Sequence, residues 1–244
     1  MKKKILTVTS VIAVIAVFLG IFAFLNVLLA PKYMEDLVEG SMISQYYRED
    51  KNHDVIFIGD CEVYSNFSPM EMYRQQGITA YVRGTSQQLI WQSYYILKET
   101  LKYETPKVVV FNVLALKYGT PQSEAFNRMT LDGMRWSMSK WNAIQASMTP
   151  EEREWESHWT YLFPLLRYHQ RWSELTGDDF TYMFHRDQVS DNGYLMQVGV
   201  QPFENEHKEP PLADYEFGEN SWYYLDKMVE LCEKEDVELV LIKA

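Results

Sequence analysis

The apolar positions of this chain fall into two unlike patterns. Three lysines, Lys2 to Lys4, are followed by 26 residues from Ile5 to Ala30 without a charge. A run of that length crosses a hydrocarbon layer of about 30 Å as a helix and exceeds the roughly 7–15-residue apolar core of a cleavable leader. Leu28 stands where a small residue would precede a cut after Ala30, and Pro31 would follow that cut. Residues 1–32 therefore read as a cytoplasmic tip and a retained, single-pass signal anchor in the plasma membrane. The lysines keep the N-terminus in the cytoplasm, and the rest of the chain lies outside it. Residues 33–52 are polar and mixed and read as a juxtamembrane stalk with one short helix.

From residue 53 the pattern becomes that of an α/β domain. Val55-Ile-Phe-Ile-Gly59 is a short apolar run between Asp54 and Asp60, as a buried parallel strand requires. Ser68-Pro-Met-Glu71 supplies an N-cap, a first-turn proline and a capping-box acid, so a helix is predicted from there to Gly77. Ile78 to Val82 predicts a second strand closed by Gly84. Ile90, Tyr94, Leu97 and Leu101 share one helical face, ended before Pro106. Lys107 to Val113, rich in β-branched residues, is a third strand. This alternation implies right-handed crossovers and a parallel sheet covered on both faces.

The stretch from about 121 to 220 is less regular. Thr149-Pro-Glu-Glu152 is another capping box, and the glycines and prolines of 176–220 favour loops. Six of the seven tryptophans lie between Trp136 and Trp222. Aromatic cover over the sheet is the plain reading, and stacking on sugar rings or an acyl chain is the functional one. Trp222, Leu225, Val229 and Cys232 then fall at helical spacing, and Val237 to Ile242 reads as a fourth buried strand. The expected architecture is an N-terminal transmembrane helix followed, over 53–244, by a flavodoxin-like parallel sheet of about four strands with a helical, aromatic-rich insertion. The sequence ends directly after the fourth strand, where such a sheet would continue into its ligand site. A C-terminally truncated domain is expected, with an edge buried by a partner or by the middle segment as the alternative.

Composition narrows the partners. The first 32 residues carry four lysines and no acid, leaving 19 basic and 34 acidic residues beyond them, a net of −15. An acidic ectodomain is a poor ligand for nucleic acid. Cys61 and Cys232 are the only cysteines, which excludes a disulfide framework and a cysteine-rich zinc site. Neither a phosphate-binding glycine loop nor a zinc spacing occurs, so no cofactor or metal is expected.

Gly59-Asp60-Cys61 at the carboxyl end of a strand, followed by a capped helix, resembles the first block of the SGNH (GDSL) hydrolase superfamily. Asp54-Val-Ile-Phe-Ile-Gly-Asp-Cys-Glu-Val-Tyr64, Tyr81-Val-Arg-Gly-Thr-Ser-Gln-Gln88 and Pro106-Lys-Val-Val-Val-Phe-Asn-Val113 are similar to the first three blocks of its membrane-anchored Gram-positive members, relatives of the D-alanyl transfer protein of teichoic acid assembly. The resemblance covers about 53–118 and continues more loosely beyond. It places Cys61 at the nucleophile position, with its N–H as one oxyanion donor. Gly84 is a second donor, and Asn112 a third, without the family's Gly-x-Asn-Asp context. Such donors can contribute roughly 3–4 kcal/mol each.

Two departures qualify this. Cysteine replaces serine, flanked by Asp60 and Glu62, which push a thiol's pKa up, while Arg83 and a helix N-terminus would pull it down. A small buried residue at a strand end is the alternative role for Cys61. The family's Asp-x-x-His pair is also missing. Of His53, His158, His169, His185 and His207, the first lies at the wrong end of the sheet, and Glu204-Asn-Glu-His207 imitates an acid–histidine pair only in a loop-like region. The expected function is an extracytoplasmic SGNH-like esterase or acyltransferase acting on acylated envelope glycan or teichoic acid, poorly active or inactive as this chain. The alternative is a non-catalytic, membrane-tethered binding or assembly factor on the same scaffold.

Overall fold

The computed structural model describes residues 2–31, 39–155, 157–185, 188–196 and 217–243. The helices are α1 (Lys2–Leu29), α2 (Glu39–Gln45), α3 (Cys61–Asn66), α4 (Pro69–Gln76), α5 (Ile90–Thr100), α6 (Glu124–Leu131), α7 (Met138–Ser147), α8 (Pro150–Trp155), α9 (His158–Leu162), α10 (Pro164–Tyr168), α11 (Gly177–Thr181) and α12 (Glu219–Lys234). The strands are β1 (Val55–Gly59), β2 (Ala80–Gly84), β3 (Val108–Asn112) and β4 (Glu238–Ile242). The chain divides into two units, 1–34 with 156–187, and 35–155 with 188–244.

The larger unit is built on an all-parallel sheet of order β2-β1-β3-β4. Central β1 pairs on both edges, with Gly59 opposite Gly84 and Ile58 opposite Phe111. Val55, Phe57, Ala80, Val82 and Val110 pack on one face with Val63, Tyr64, Phe67 and Met72 from α3, α4 and their junction. Their alternate residues Ile56, Ile58, Tyr81, Val109 and Phe111 are buried on the other, as a doubly wound sheet requires. Helix α5 is buried nearly all round rather than along one stripe, with only Lys98 exposed. Trp91 donates its ring N–H to Ser147 of α7 at 3.0 Å, so α7 covers what the sheet leaves open.

Local signals act as their chemistry requires. The Ser68 hydroxyl caps α4, and Gly77 closes it in a left-handed conformation with φ 70°. Thr149 and Glu152 exchange both bonds of a capping box, at 2.8 and 3.1 Å. Strand β2 starts two residues later than the apolar run, because Thr79 is held before it by Asp54, whose carboxylate accepts from the Thr79 N–H and hydroxyl. Residues 39–48, read as stalk, fold within this unit and bury Met42, Ile43 and Tyr46.

Three expectations are corrected. The buried stripe of α12 is Ser221, Tyr224, Leu225, Met228 and Cys232, while Trp222 and Val229 are exposed, so the helix is rotated from the predicted face. Strand β4 is an edge rather than a buried strand, with Val240 36% and Leu241 46% exposed. The aromatic segment is divided: α6 to α8 belong to the sheet unit, whereas 157–185 belong to the unit with α1.

The outer edge of β2 is closed by residues 188–196. Val82 donates its N–H to the Asn192 carbonyl at 2.9 Å, and the buried Gln45 side chain accepts from Val189 and Ser190 and donates to the Ser190 carbonyl. Gly193, at φ 81°, lies so close that a Cβ there would overlap the Val82 carbonyl, whereas a Cβ on Gly77 would meet open space. Gly77→Ala should therefore cost only the left-handed strain of about 1 kcal/mol. Gly193→Ala should cost about 3 kcal/mol, because it also displaces the strap. Urea unfolding of the two variants in detergent measures the difference, and equal losses would contradict the close approach.

Candidate functional site

In an open parallel sheet, ligand sites form outside the carboxyl ends of the strands. At that end of β1 the chain turns at Gly59, where a Cβ would overlap Val63 and come within 2.9 Å of the Asn112 Cβ. Asp60 follows in an extended conformation and caps α3, its Oδ1 accepting the Glu62 N–H at 3.1 Å. Cys61 is the first residue of α3 and is exposed. Gly84 lies beside this turn: a Cβ on it would stand 3.0 Å from the Gly59 carbonyl oxygen and 3.1 Å from that of Asp60. The absence of a side chain at Gly84 thus has a packing reason, independent of any oxyanion role.

Asn112, fully buried at the end of β3, binds this turn to the third strand. Its Nδ2 donates to Asp60 Oδ1 at 3.0 Å and to Glu62 Oε2 at 2.9 Å, while its Oδ1 accepts the Leu114 N–H. Both amide hydrogens are thereby committed to carboxylates. Lys243, directly after β4, donates to both Glu62 oxygens at 2.8 Å. Cys61, Gly84 and Asn112, the residues singled out in the sequence, all stand at this end of the sheet. Glu62 was read only as a charge beside the thiol and Lys243 was not singled out, although a lysine just past the carboxyl end of a parallel strand is a readable signal.

The electrostatics oppose an ionised thiol. Although Cys61 is exposed as a residue, partial desolvation of its thiol by the surrounding turn raises its pKa, the Asp60 charge and then that of Glu62 add to the effect, and the Cys61 and Glu62 backbone N–H groups at the helix start only partly offset it. Burial likewise raises the Asp60 carboxyl, against the Glu62 N–H and Asn112 that favour its charged form. Arg83, expected to lower the thiol's pKa, is buried with its guanidinium 3.8 Å from the centre of the Tyr46 ring, and the main influences on the Cys61 thiol come from other groups. Cys232 is buried in α12 and its thiol is pushed up to about 11, so it is inert at neutral pH.

Among the described residues the sheet unit holds one histidine, His53, which precedes β1. Its Nδ1 lies 2.8 Å from Glu104 Oε2, and Glu104 also accepts from Tyr46 at 2.6 Å. It lines a cavity of about 310 Å³ with Asp50, Tyr73 and Asn192, beside the first residue of β2 and thus at the end of the sheet opposite Cys61. His158, His169 and His185 belong to the unit with α1, and His207 lies outside the described residues. Among the described residues no group of three or more His, Cys, Asp or Glu side chains is arranged to hold a metal ion.

The fold and the position of this cluster define an α/β protein with a four-stranded parallel sheet, a polar cluster at the strands' carboxyl ends, and one N-terminal apolar helix long enough to cross a membrane. Comparison of the chain with protein-family models, curated proteins and solved structures finds no match.

Two outcomes follow from the geometry. Alkylation of Cys61 by iodoacetamide should be slower than that of free cysteine at neutral pH and should still be rising at about pH 9, above the usual thiol midpoint. Asp60→Asn, which keeps a capping side chain, should speed it up. A plateau below about pH 8 in the unsubstituted protein would contradict the assigned charges. Asn112→Ala leaves two carboxylates without their shared donor and should cost about 1–3 kcal/mol in chemical unfolding, against little for the exposed partner change Lys243→Ala.

Proposed function

We propose that the carboxyl edge of the sheet is the acyl-ester site of an SGNH-like hydrolase or acyltransferase, carried outside the cytoplasm by α1 as a single-pass anchor with Lys2 to Lys4 inside. The substrate class is an acylated envelope glycan or teichoic acid. The observation that carries this reading is the juxtaposition of Cys61, Gly84 and Asn112 around the Gly59–Asp60 turn, each at the end of a different adjacent strand. In this role Cys61 Sγ attacks the ester carbonyl, the alcohol leaves, and the acyl group passes from the thioester to water or to an acceptor hydroxyl. The Cys61 N–H and the Gly84 N–H would face the oxyanion. Asn112 would join them only if one of its N–H groups left a carboxylate.

A second reading, a membrane-tethered binding or assembly factor that retains the scaffold, is favoured by one specific observation. Partial desolvation and two neighbouring carboxylates raise the pKa of the thiol, and Asn112 already serves those carboxylates. Without a positioned base, turnover falls by roughly 10²–10⁴-fold.

Hydrolysis of p-nitrophenyl acetate by the full chain, beside Cys61→Ala and Cys61→Ser, separates the two. The enzyme reading expects slow p-nitrophenol release that climbs with pH, is abolished in Cys61→Ala and persists in Cys61→Ser. Release that is equal in all three proteins removes Cys61 as nucleophile and leaves the binding reading.

A further inference from the structure

Residues 157–185 and α1 form one compact unit, and their joining contacts fall on the last turns of α1. The Phe22 ring lies 5.4 Å from that of Phe163. Asn26, the one amide in the apolar run, accepts the Leu165 N–H at 3.0 Å and donates to the Phe22 carbonyl. Arg171 donates to the Leu29 carbonyl at 2.8 Å, serving a helix C-terminus whose last carbonyls have no partner within the helix. Arg171 is itself held by Asp179 at 3.0 Å.

These contacts set a depth. The apolar span Thr7–Leu29 is 23 residues, about 34 Å of helix, which matches a hydrocarbon layer of about 30 Å. Phe22 to Leu29 occupy its last ~10 Å, where acyl chains give way to headgroups. The segment exposes Trp159 (51%), Leu166 (47%), Trp172 (73%), Phe180 (48%) and Phe184 (89%). Four of the five are tied to the end of α1. Trp159 stacks on Phe163, which meets Phe22. Leu166 follows Leu165, bonded to Asn26, and Trp172 follows Arg171, bonded to Leu29. Phe180 follows Asp179, bonded to Arg171. So much exposed aromatic surface, on a segment packed against a lipid-length helix, fits the interfacial zone in which tryptophan and phenylalanine concentrate.

We propose that residues 157–185 are an interfacial collar. The short helices lie at the headgroup–acyl boundary of the leaflet around the C-terminal end of α1, with Trp159, Leu166, Trp172, Phe180 and Phe184 inserted into lipid. The inference rests on α1 being a membrane anchor. The segment carries Arg167 and Arg171 against Glu174, Asp178 and Asp179, so apolar area rather than attraction to anionic lipid drives insertion.

The test uses the full chain in phosphatidylcholine vesicles, with tryptophan fluorescence quenched by lipids brominated near the headgroup or near the chain end. The component lost in Trp159→Phe/Trp172→Phe isolates the collar. That component should be quenched more by shallow than by deep bromines, be shielded from aqueous acrylamide, and persist at high salt. Flotation with the vesicles reports α1 separately. A chain that floats while the component is open to acrylamide and untouched by either bromolipid overturns the collar and leaves the anchor standing. Shielding that grows with protein density at fixed lipid assigns the patch to a second copy and also overturns the collar. A chain that does not float overturns both.

Discussion

The close approach of Gly59 to Asn112 and Val63 is the constraint on which the rest of the sheet's carboxyl edge depends. Because Gly59 has no side chain, β1 can run to its last residue between two neighbours and turn at once into α3. Asp60 then becomes the cap of that helix, Cys61 its exposed first residue, and Asn112 the group that meets both flanking carboxylates. Gly84 meets the same turn from the opposite strand. A larger residue at 59 would move the thiol, the cap and the amide together.

The cluster that results is well bonded and poorly suited to thiolate formation. Two carboxylates beside one thiol, with Lys243 paired to the outer carboxylate, favour the protonated sulfur. Acyl transfer through a thiol needs the reverse: a nucleophile whose proton is drawn away and donors left open for the oxyanion. The functional question therefore turns on which groups approach Cys61, not on the fold, since an open α/β sheet supports many chemistries.

The tryptophans and phenylalanines of 157–185 show how composition alone leaves the packing partner open. Aromatic residues rich enough to build a core were read as cover for the sheet, yet their fixed points are Phe22, Asn26 and Leu29 of α1. Asn26 sits inside the apolar run, and its oxygen accepts the Leu165 N–H, which gives that polar group a partner.

The strand–helix alternation, the capping of α4 and α8, the membrane-length run and the grouping of Cys61, Gly84 and Asn112 at one sheet end were all legible in the sequence. Each depends on residues close together in the chain, or on the rule that parallel strands align their carboxyl ends. The rotation of α12, the exposure of β4, the Gly193 strap on β2, the engagement of Arg83 by Tyr46 and the Lys243–Glu62 bond were not. These join residues tens to more than a hundred positions apart, and periodicity states that a face is apolar without stating what covers it. The sequence by itself determined the elements, their order and the grouping of Cys61, Gly84 and Asn112 at one end of the sheet. Only the tertiary structure decided which charges reach the thiol and which aromatics group with α1, because burial and Coulomb energy depend on distances in space that the spacing along the chain does not contain.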